Sequence, residues 1–299
     1  NISFLNDYIH YVDKGSSTDS KNSSYRVSNN LEYRYEYNRI KLYNNVGFSS
    51  DIAKTDYYNG MKKRDILTFS SSINYSFKNL TILLSLKDEI NKRTLFYLSP
   101  SFGVDFKFLR YFVLKANIAK NYRRPSLNDL YWRPGGNENL NDERAWCYET
   151  GIMCNVKFSD NVGILVSSTL YSQNIENYIS WQPTEYSYWE VRNTGRIWSR
   201  GTENRVELSI KKKAYKIKSV FMYNYTLSTN EYDGELLHNQ MIYVPRHNMS
   251  SYVNLEIKKY FINYSFVHVG LRFTSYDNKH FINPYSIHNL IIGKSFEYR

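Results

Sequence analysis

The sequence predicts an all-β protein, an antiparallel barrel that crosses a membrane with its strands, and three observations carry that expectation. Apolar and aromatic residues recur at every second position over most of the chain, the period of a strand with one apolar and one wet face. The alternating runs cover roughly 10 to 15 residues, longer than the five or six usual in soluble sheets and long enough for a tilted strand to cross a bilayer. Connections alternate between short and long, as when hairpin turns lie on one rim of an up-and-down barrel and loops on the other.

Composition points the same way. The 299 residues include 30 Tyr and 16 Phe but only 13 Gly and 6 Pro, and aromatic side chains suit a pleated, half-buried surface. Mean hydropathy is −0.58, so the apolar material is spread over alternate positions and not concentrated in one core. No run of about 18 apolar residues marks a transmembrane helix. The formal net charge is +11, yet Lys and Arg fall in turns and at alternate strand positions, whereas nucleic-acid binders gather them on one face or helix. The expectation is a solvated or lipopolysaccharide-facing surface and no nucleic-acid partner.

Taken in order, Leu31, Tyr33, Tyr35 and Tyr37 share one face while Glu32, Arg34 and Glu36 share the other. Leu80, Ile82, Leu84 and Leu86 lie on one side of the next clear strand. Phe102, Val104, Phe106 and Phe108 oppose Ser101, Gly103, Asp105 and Lys107. In the run from Trp146 to Phe158, Tyr148, Ile152, Cys154 and Val156 oppose Cys147, Glu149, Met153, Asn155 and Lys157. Phe221, Tyr223, Tyr225 and Leu227 oppose Met222, Asn224 and Thr226, and a last strand is expected from Tyr285 to Glu297.

Short turns are expected at Asn38–Arg39, Lys78–Asn79, Leu109–Arg110, Ser159–Asp160, Lys212–Lys213 and Lys259–Tyr260. Longer polar segments fall at 14–24, 54–63, 88–93, 122–144, 175–197, 228–242 and 276–283. The tally is about fourteen strands, and a sheet of that size in lipid must close to remove its edges. Asn1 opens inside a structured run and the chain ends without a terminal aromatic, so 1–299 is expected to be one partial barrel domain. Cys147 and Cys154 fall on opposite faces of one strand, which argues against a disulfide between them.

The segment from 122 to 151 carries ordered landmarks: Arg124-Pro125-Ser126, Asp129-Leu130-Tyr131, Gly135-Gly136-Asn137, Leu140, Asp142-Glu143 and Tyr148-Glu149-Thr150-Gly151. This order resembles the TonB-dependent outer-membrane receptors. Residues 171–181, 193–208 and 240–257 are similar to later segments of that family, and the likeness is strongest to its vitamin B12 receptor branch. One departure is Asp142, where the family usually has Pro. The resemblance implies a barrel of about 22 strands, of which an N-terminal plug domain, the first strands and the final ones lie outside this chain. It also implies a bacterial outer-membrane monomer that takes up a corrinoid or ferric siderophore through a plug engaging the TonB complex.

No catalytic constellation is found: there is no GxSxG, no HExxH and no phosphate-cradling glycine loop, and the six His are scattered. The expectation is a protein that is not an enzyme and needs no cofactor or metal. Glu32/Glu36 and Asp142/Glu143 have the form of acid/base pairs, but the first pair faces the wet side beside Arg34 and is read as neutralising charge in a plug or water-filled interior, and Glu149 is read as a structural residue opening a strand. The candidate ligand contacts are Arg123, Arg124, Tyr131, Trp132 and Arg133 in one loop. Trp181, Tyr186, Tyr188 and Trp189 are the candidates in another. Planar aromatics and guanidinium groups grip bulky chelates and carboxylates, although the same residues would also serve as an interfacial girdle. Competing classes are a passive porin or fatty-acid channel, a non-transporting adhesin, and a soluble lectin-like sandwich with strands half as long.

Overall fold

The computed structural model describes residues 2–13, 18–93, 96–232, 234 and 236–296, with side chains from Ser20 onward. The chain begins with β1 (Ile2–Asp13), β2 (Thr18–Tyr37), β3 (Ile40–Thr55), β4 (Lys62–Phe77), β5 (Leu80–Ile90), β6 (Ser99–Leu109) and β7 (Phe112–Arg123). A short helix, α1 (Leu127–Tyr131), precedes β8 (Glu143–Ser159) and β9 (Val162–Glu176), followed by the small strands β10 (Ile179–Pro183) and β11 (Trp189–Asn193). Then come β12 (Ile197–Lys211), β13 (Tyr215–Asn230), β14 (His247–Ile257), β15 (Tyr260–Val269), β16 (Arg272–Phe273), β17 (Phe281–Ile282) and β18 (Tyr285–Lys294).

Fourteen strands form one sheet in chain order, β1 to β9, then β12 to β15, then β18. The pairs β10–β11 and β16–β17 are separate two-stranded ribbons inside loops. This is the expected all-β meander of long antiparallel strands. Two compact units divide it: Asn1–Gly103 with Ala119–Trp146 and Ile175–Gly195, and Val104–Ile118 with Cys147–Asn174 and Arg196–Arg299.

In the first unit, cross-strand register turns the alternation into continuous rows. Tyr35, Leu42, Ile73 and Leu84 stand opposite one another across four strands. On the reverse face the row is Glu32, Asn45, Ser70 and Lys87. The apolar row is solvent-facing, and Leu31 on the same face is 75% exposed. A soluble protein would bury such a face, so lipid is its proper solvent. In the second unit Ile217, Leu255, Ile262 and Ile292 repeat the pattern across β13, β14, β15 and β18. Among the described residues no helix is long and apolar enough to cross a membrane.

The two-residue turns use left-handed backbone, with Asn38 at φ 52° and Lys258 at φ 55°. Three turns fall one residue away from the expected position, at Arg110–Tyr111, Asp160–Asn161 and Lys258–Lys259, because Leu109, Ser159 and Ile257 close the preceding strands. Ile257 pairs with Tyr260 across the last of these turns. Side-chain period alone does not say which of two adjacent polar residues leaves the ladder.

The loops are also rebounded. β2 starts at Thr18, and its polar residues Thr18–Ser24 pair with β1 in place of the expected loop, because a ladder needs backbone groups and not apolar side chains; residues 14–17 lie outside the described set. β5 keeps Asp88–Ile90 and β13 continues to Asn230. β18 stops at Lys294, short of the expected Glu297, which lies outside the described residues. Glu149 sits exposed in the middle of β8 and does not open it; the opening residue is Glu143. Cys147 and Cys154 are not in a disulfide, and Arg34 pairs with Glu32 at 2.9 Å as expected.

Candidate functional site

The site belongs to the first unit, where a small cluster of buried hydrophobic side chains gathers in the loops. Leu130, Leu140, Ile179 and Val191 form it, with Tyr131 and Trp181 packed against it; Leu140 and Val191 are each 1% exposed. These four residues come from α1, the segment after it, and the β10–β11 ribbon. Burying them fixes two otherwise polar loops on each other.

Local sequence explains how α1 forms. Pro125 cannot extend the β7 ladder, and Ser126 then caps the helix. The Asp129 backbone N–H donates to Ser126 Oγ at 3.0 Å and the Ser126 N–H donates to Asp129 Oδ2 at 2.8 Å, a reciprocal capping box. Pro134 lies just beyond the helix, and Trp132 has already returned to extended backbone.

Asp129 does more than cap. Its Oδ1 accepts the Trp181 indole N–H at 3.0 Å, and its Oδ2 lies 3.6 Å from Arg123 Nη1. Arg123 in turn donates through Nε and Nη2 to both Glu143 carboxylate oxygens at 2.8 and 2.7 Å, and Nη2 also reaches the Ile179 carbonyl at 3.2 Å. Glu143 Oε1 accepts the Ile179 backbone N–H at 2.7 Å. One guanidinium therefore joins the end of β7, the start of β8, α1 and the start of β10. Both carboxylates are buried, so each depends on Arg123 for charge compensation.

Further contacts seat the loops. The Val191 N–H donates to the Gly135 carbonyl at 2.9 Å. Gly135 has φ +107°, and a Cβ there would strike the Trp189 carbonyl, so only glycine fits. Asn141 and Asn193 exchange hydrogen bonds of 2.8 and 3.0 Å. From the β3–β4 connection, Tyr57 stacks on Trp132 with ring centroids 4.2 Å apart and planes at 17°, and its carbonyl accepts the Arg133 N–H at 2.9 Å. The Tyr58 hydroxyl donates to Asn128 Oδ1. Burial, and then the Asp129 charge, push the Tyr58 hydroxyl pKa up, which keeps it a donor.

The candidate residues separate into two groups. Trp132, Trp181, Tyr188 and Trp189, with Asn128 and Pro134, line one groove of about 450 Å³. Trp189 is 52% exposed, and Tyr188 stacks with the exposed Tyr186 at 6.4 Å. Arg133 is exposed beside this group. Arg123, by contrast, is engaged in the network above. Arg124 has a side chain only 8% exposed beside Glu89, to whose carbonyl it donates. Tyr131 lies edge-on to Tyr58 at 6.3 Å with Lys62 Nζ 4.2 Å over its ring.

Sequence inspection missed Tyr57, Asn128, Asp129 and Glu143 as site-builders. The Ser126-x-x-Asp129 spacing was a readable signal for the helix cap. Among the described residues no group of three or more His, Cys, Asp or Glu could hold a metal ion.

Long antiparallel strands with a lipid-facing apolar side, short turns at one end and ordered aromatic loops at the other define an outer-membrane barrel of the receptor type. The sequence matches the family described as TonB dependent receptor-like, beta-barrel, over residues 2–298, and the chain belongs to that family, a family of the bacterial outer membrane. The vitamin B12 transporter BtuB of Vibrio vulnificus is 33% identical over 69 residues, 23% of this chain and 10% of that protein. The BtuB of Photobacterium profundum is 32% identical over 74 residues, 25% and 11% of the two chains.

The fold is shared with the siderophore receptor PirA from Pseudomonas aeruginosa, with a TM-score of 0.66 and 16% identity over 93% of this chain and 50% of that one. The FrpB iron transporter from Neisseria meningitidis gives 0.69 and 12% over 98% and 52%. A mutant of the ferric enterobactin receptor PfeA from Pseudomonas aeruginosa, in complex with enterobactin, gives 0.70 and 14% over 97% and 50%. The chain thus spans about half the length of the solved receptors it matches.

Proposed function

We propose that the full receptor captures a scarce metal chelate, a corrinoid or a ferric siderophore, at the Trp132–Tyr188–Trp189 groove and passes it through the outer membrane. The observation that carries this reading is the groove itself: about 450 Å³, walled mainly by aromatic rings, within the size range of small-molecule sites, on loops joined through Arg123 and two buried carboxylates. A passive channel needs no such platform. Flat aromatic faces take up a planar macrocycle or catecholate rings by stacking, and exposed Arg133 offers a cation to an anionic chelate.

The names of the similar proteins support both cargo classes, vitamin B12 on one side and siderophores on the other. In this reading the cargo undergoes no covalent change. Because a tight site releases slowly, release draws on energy delivered by the TonB complex through a plug, and the receptor acts as a monomer in lipid. The test is equilibrium binding of cyanocobalamin and of a ferric catecholate to outer membranes bearing the full receptor or its Trp132→Ala/Trp189→Ala variant. Saturable binding of one chelate, weakened at least about tenfold in the variant at equal receptor abundance, is expected for two lost aromatic contacts. Equal affinity in both membranes removes the groove from the site.

A further inference from the structure

The short turns of the second unit carry an excess of positive charge that the uptake reading does not use. In an antiparallel meander the turns after β6, β8, β12 and β14 lie along one edge of the sheet. They hold Arg110, Lys212, Lys213, Lys258 and Lys259 against one acid, Asp160. Lys294 joins them, since it pairs with Tyr260 at the same edge. All six cations are exposed, and among the described residues none has an acidic partner. Nearby acids are already taken: Lys216 holds Glu256 at 2.8 Å, and Arg205 and Lys218 hold Glu207 at 2.7 and 3.4 Å.

Two of these cations, Arg110 and Lys294, lie against exposed aromatic rings. Arg110 lies over Tyr111 at 5.2 Å, and Lys294 lies over Tyr260 at 5.1 Å and Phe296 at 5.2 Å. Phe158 and Phe296 are 70% and 79% exposed. Such rings settle at the boundary of headgroup and hydrocarbon, the cation–π contacts hold Arg110 and Lys294 at that same depth, and Lys212, Lys213, Lys258 and Lys259 occupy neighbouring turns of the same edge. The first unit independently shows the motif, with Arg39 and Lys78 over Phe77 at 4.7 and 5.3 Å.

We propose that the short-turn rim of the second unit is a binding surface for anionic glycerophospholipid, with Lys212, Lys213, Lys258 and Lys259 donating to headgroup phosphate and the neighbouring rings lying against the glycerol region. Short turns of outer-membrane barrels face the periplasm, where the leaflet is phospholipid. The occupant is therefore a phosphatidylglycerol-type lipid and not the phosphorylated sugar lipid of the outer leaflet. Unpaired ammonium groups at this depth donate charge-assisted hydrogen bonds to phosphate oxygens, each favouring an anionic lipid by roughly fivefold. The inference rests on the outer-membrane placement and is independent of the cargo.

The test uses the full receptor in nanodiscs of phosphatidylcholine with spin-labelled phosphatidylglycerol or phosphatidylcholine, reading the immobilised lipid fraction. The expected result is a preference for phosphatidylglycerol over phosphatidylcholine of at least about tenfold, collapsing in 0.5 M salt as a surface charge effect must. The K212Q/K213Q and K258Q/K259Q variants, each checked for folding by heat-modifiable gel mobility, should each lose most of the preference. Absence of a preference in the unaltered receptor, or its survival in both variants or in high salt, overturns the proposal. The salt comparison needs no variant, so a folding failure cannot leave the question open.

Discussion

Arg123, the last residue of β7, grips both oxygens of Glu143, the first residue of β8, at 2.8 and 2.7 Å. The two residues close the base of the loop between those strands, and the same guanidinium lies 3.6 Å from Asp129 inside it. Breaking this clamp should free the loop without unfolding the sheet, whose ladders do not depend on it. Arg123→Ala leaves two buried carboxylates uncompensated and is expected to cost about 2 kcal/mol of loop docking, less than a fully buried pair because half of Arg123 is solvated. Amide exchange should accelerate in 127–140 and 179–193 and stay unchanged in β12 to β15; uniform acceleration would show that the network supports the whole domain.

Gly135 makes a second, sharper prediction. Its φ of +107° and the nearby Trp189 carbonyl leave no room for a side chain. Gly135→Ala should cost about 1–3 kcal/mol in loop seating and expose the β10–β11 ribbon to proteolysis near Thr184–Tyr188. A cleavage rate equal to that of the unaltered protein would count against the contact.

The Tyr57–Trp132 stack is worth about 0.5–1.5 kcal/mol beyond its buried area. Tyr57 does not line the groove of Trp132, Tyr188 and Trp189, so Tyr57→Ala should weaken chelate binding only through loss of Trp132 positioning. In a double-mutant cycle with Trp132→Ala, its effect should disappear once Trp132 is gone. Additive losses would mean that Tyr57 touches the ligand.

The row Tyr35, Leu42, Ile73 and Leu84 is read as lipid-facing. Leu84→Arg should therefore destabilise the receptor in a bilayer by about 2–4 kcal/mol if it lies near the midplane, whereas Ser85→Arg, on the polar face, should be tolerated. Urea titration of the receptor in lipid vesicles separates the two. The reverse order would invert the assignment of faces.

Much of this was legible in the sequence. Period-two runs such as Leu31–Tyr37 identified strands because, in lipid, one face must be apolar and the other need not be. The landmarks from Arg124 to Glu143 identified the family. Turn positions slipped by one because Leu109 and Ser159 are as compatible with a strand end as with a turn. The β10–β11 ribbon stayed hidden because its strands, Ile179–Pro183 and Trp189–Asn193, are too short for alternation to register. The roles of Arg123 and Glu143 were hidden for another reason: their pairing depends on how the loop folds back, which no local pattern records. Arg124, expected beside Arg123 as a ligand contact, is instead turned toward Glu89.

Intrinsic tryptophan fluorescence tests most directly whether the groove between the two loops receives a metal chelate. Trp132, Trp181 and Trp189 line that groove, while Trp146 and Trp198 do not. Titrating the full receptor with cyanocobalamin or a ferric catecholate should give saturable quenching by one of them, with most of the amplitude lost in a Trp132→Phe/Trp181→Phe/Trp189→Phe variant. Saturable binding whose quenching persists undiminished in that variant would place the chelate elsewhere and contradict the account.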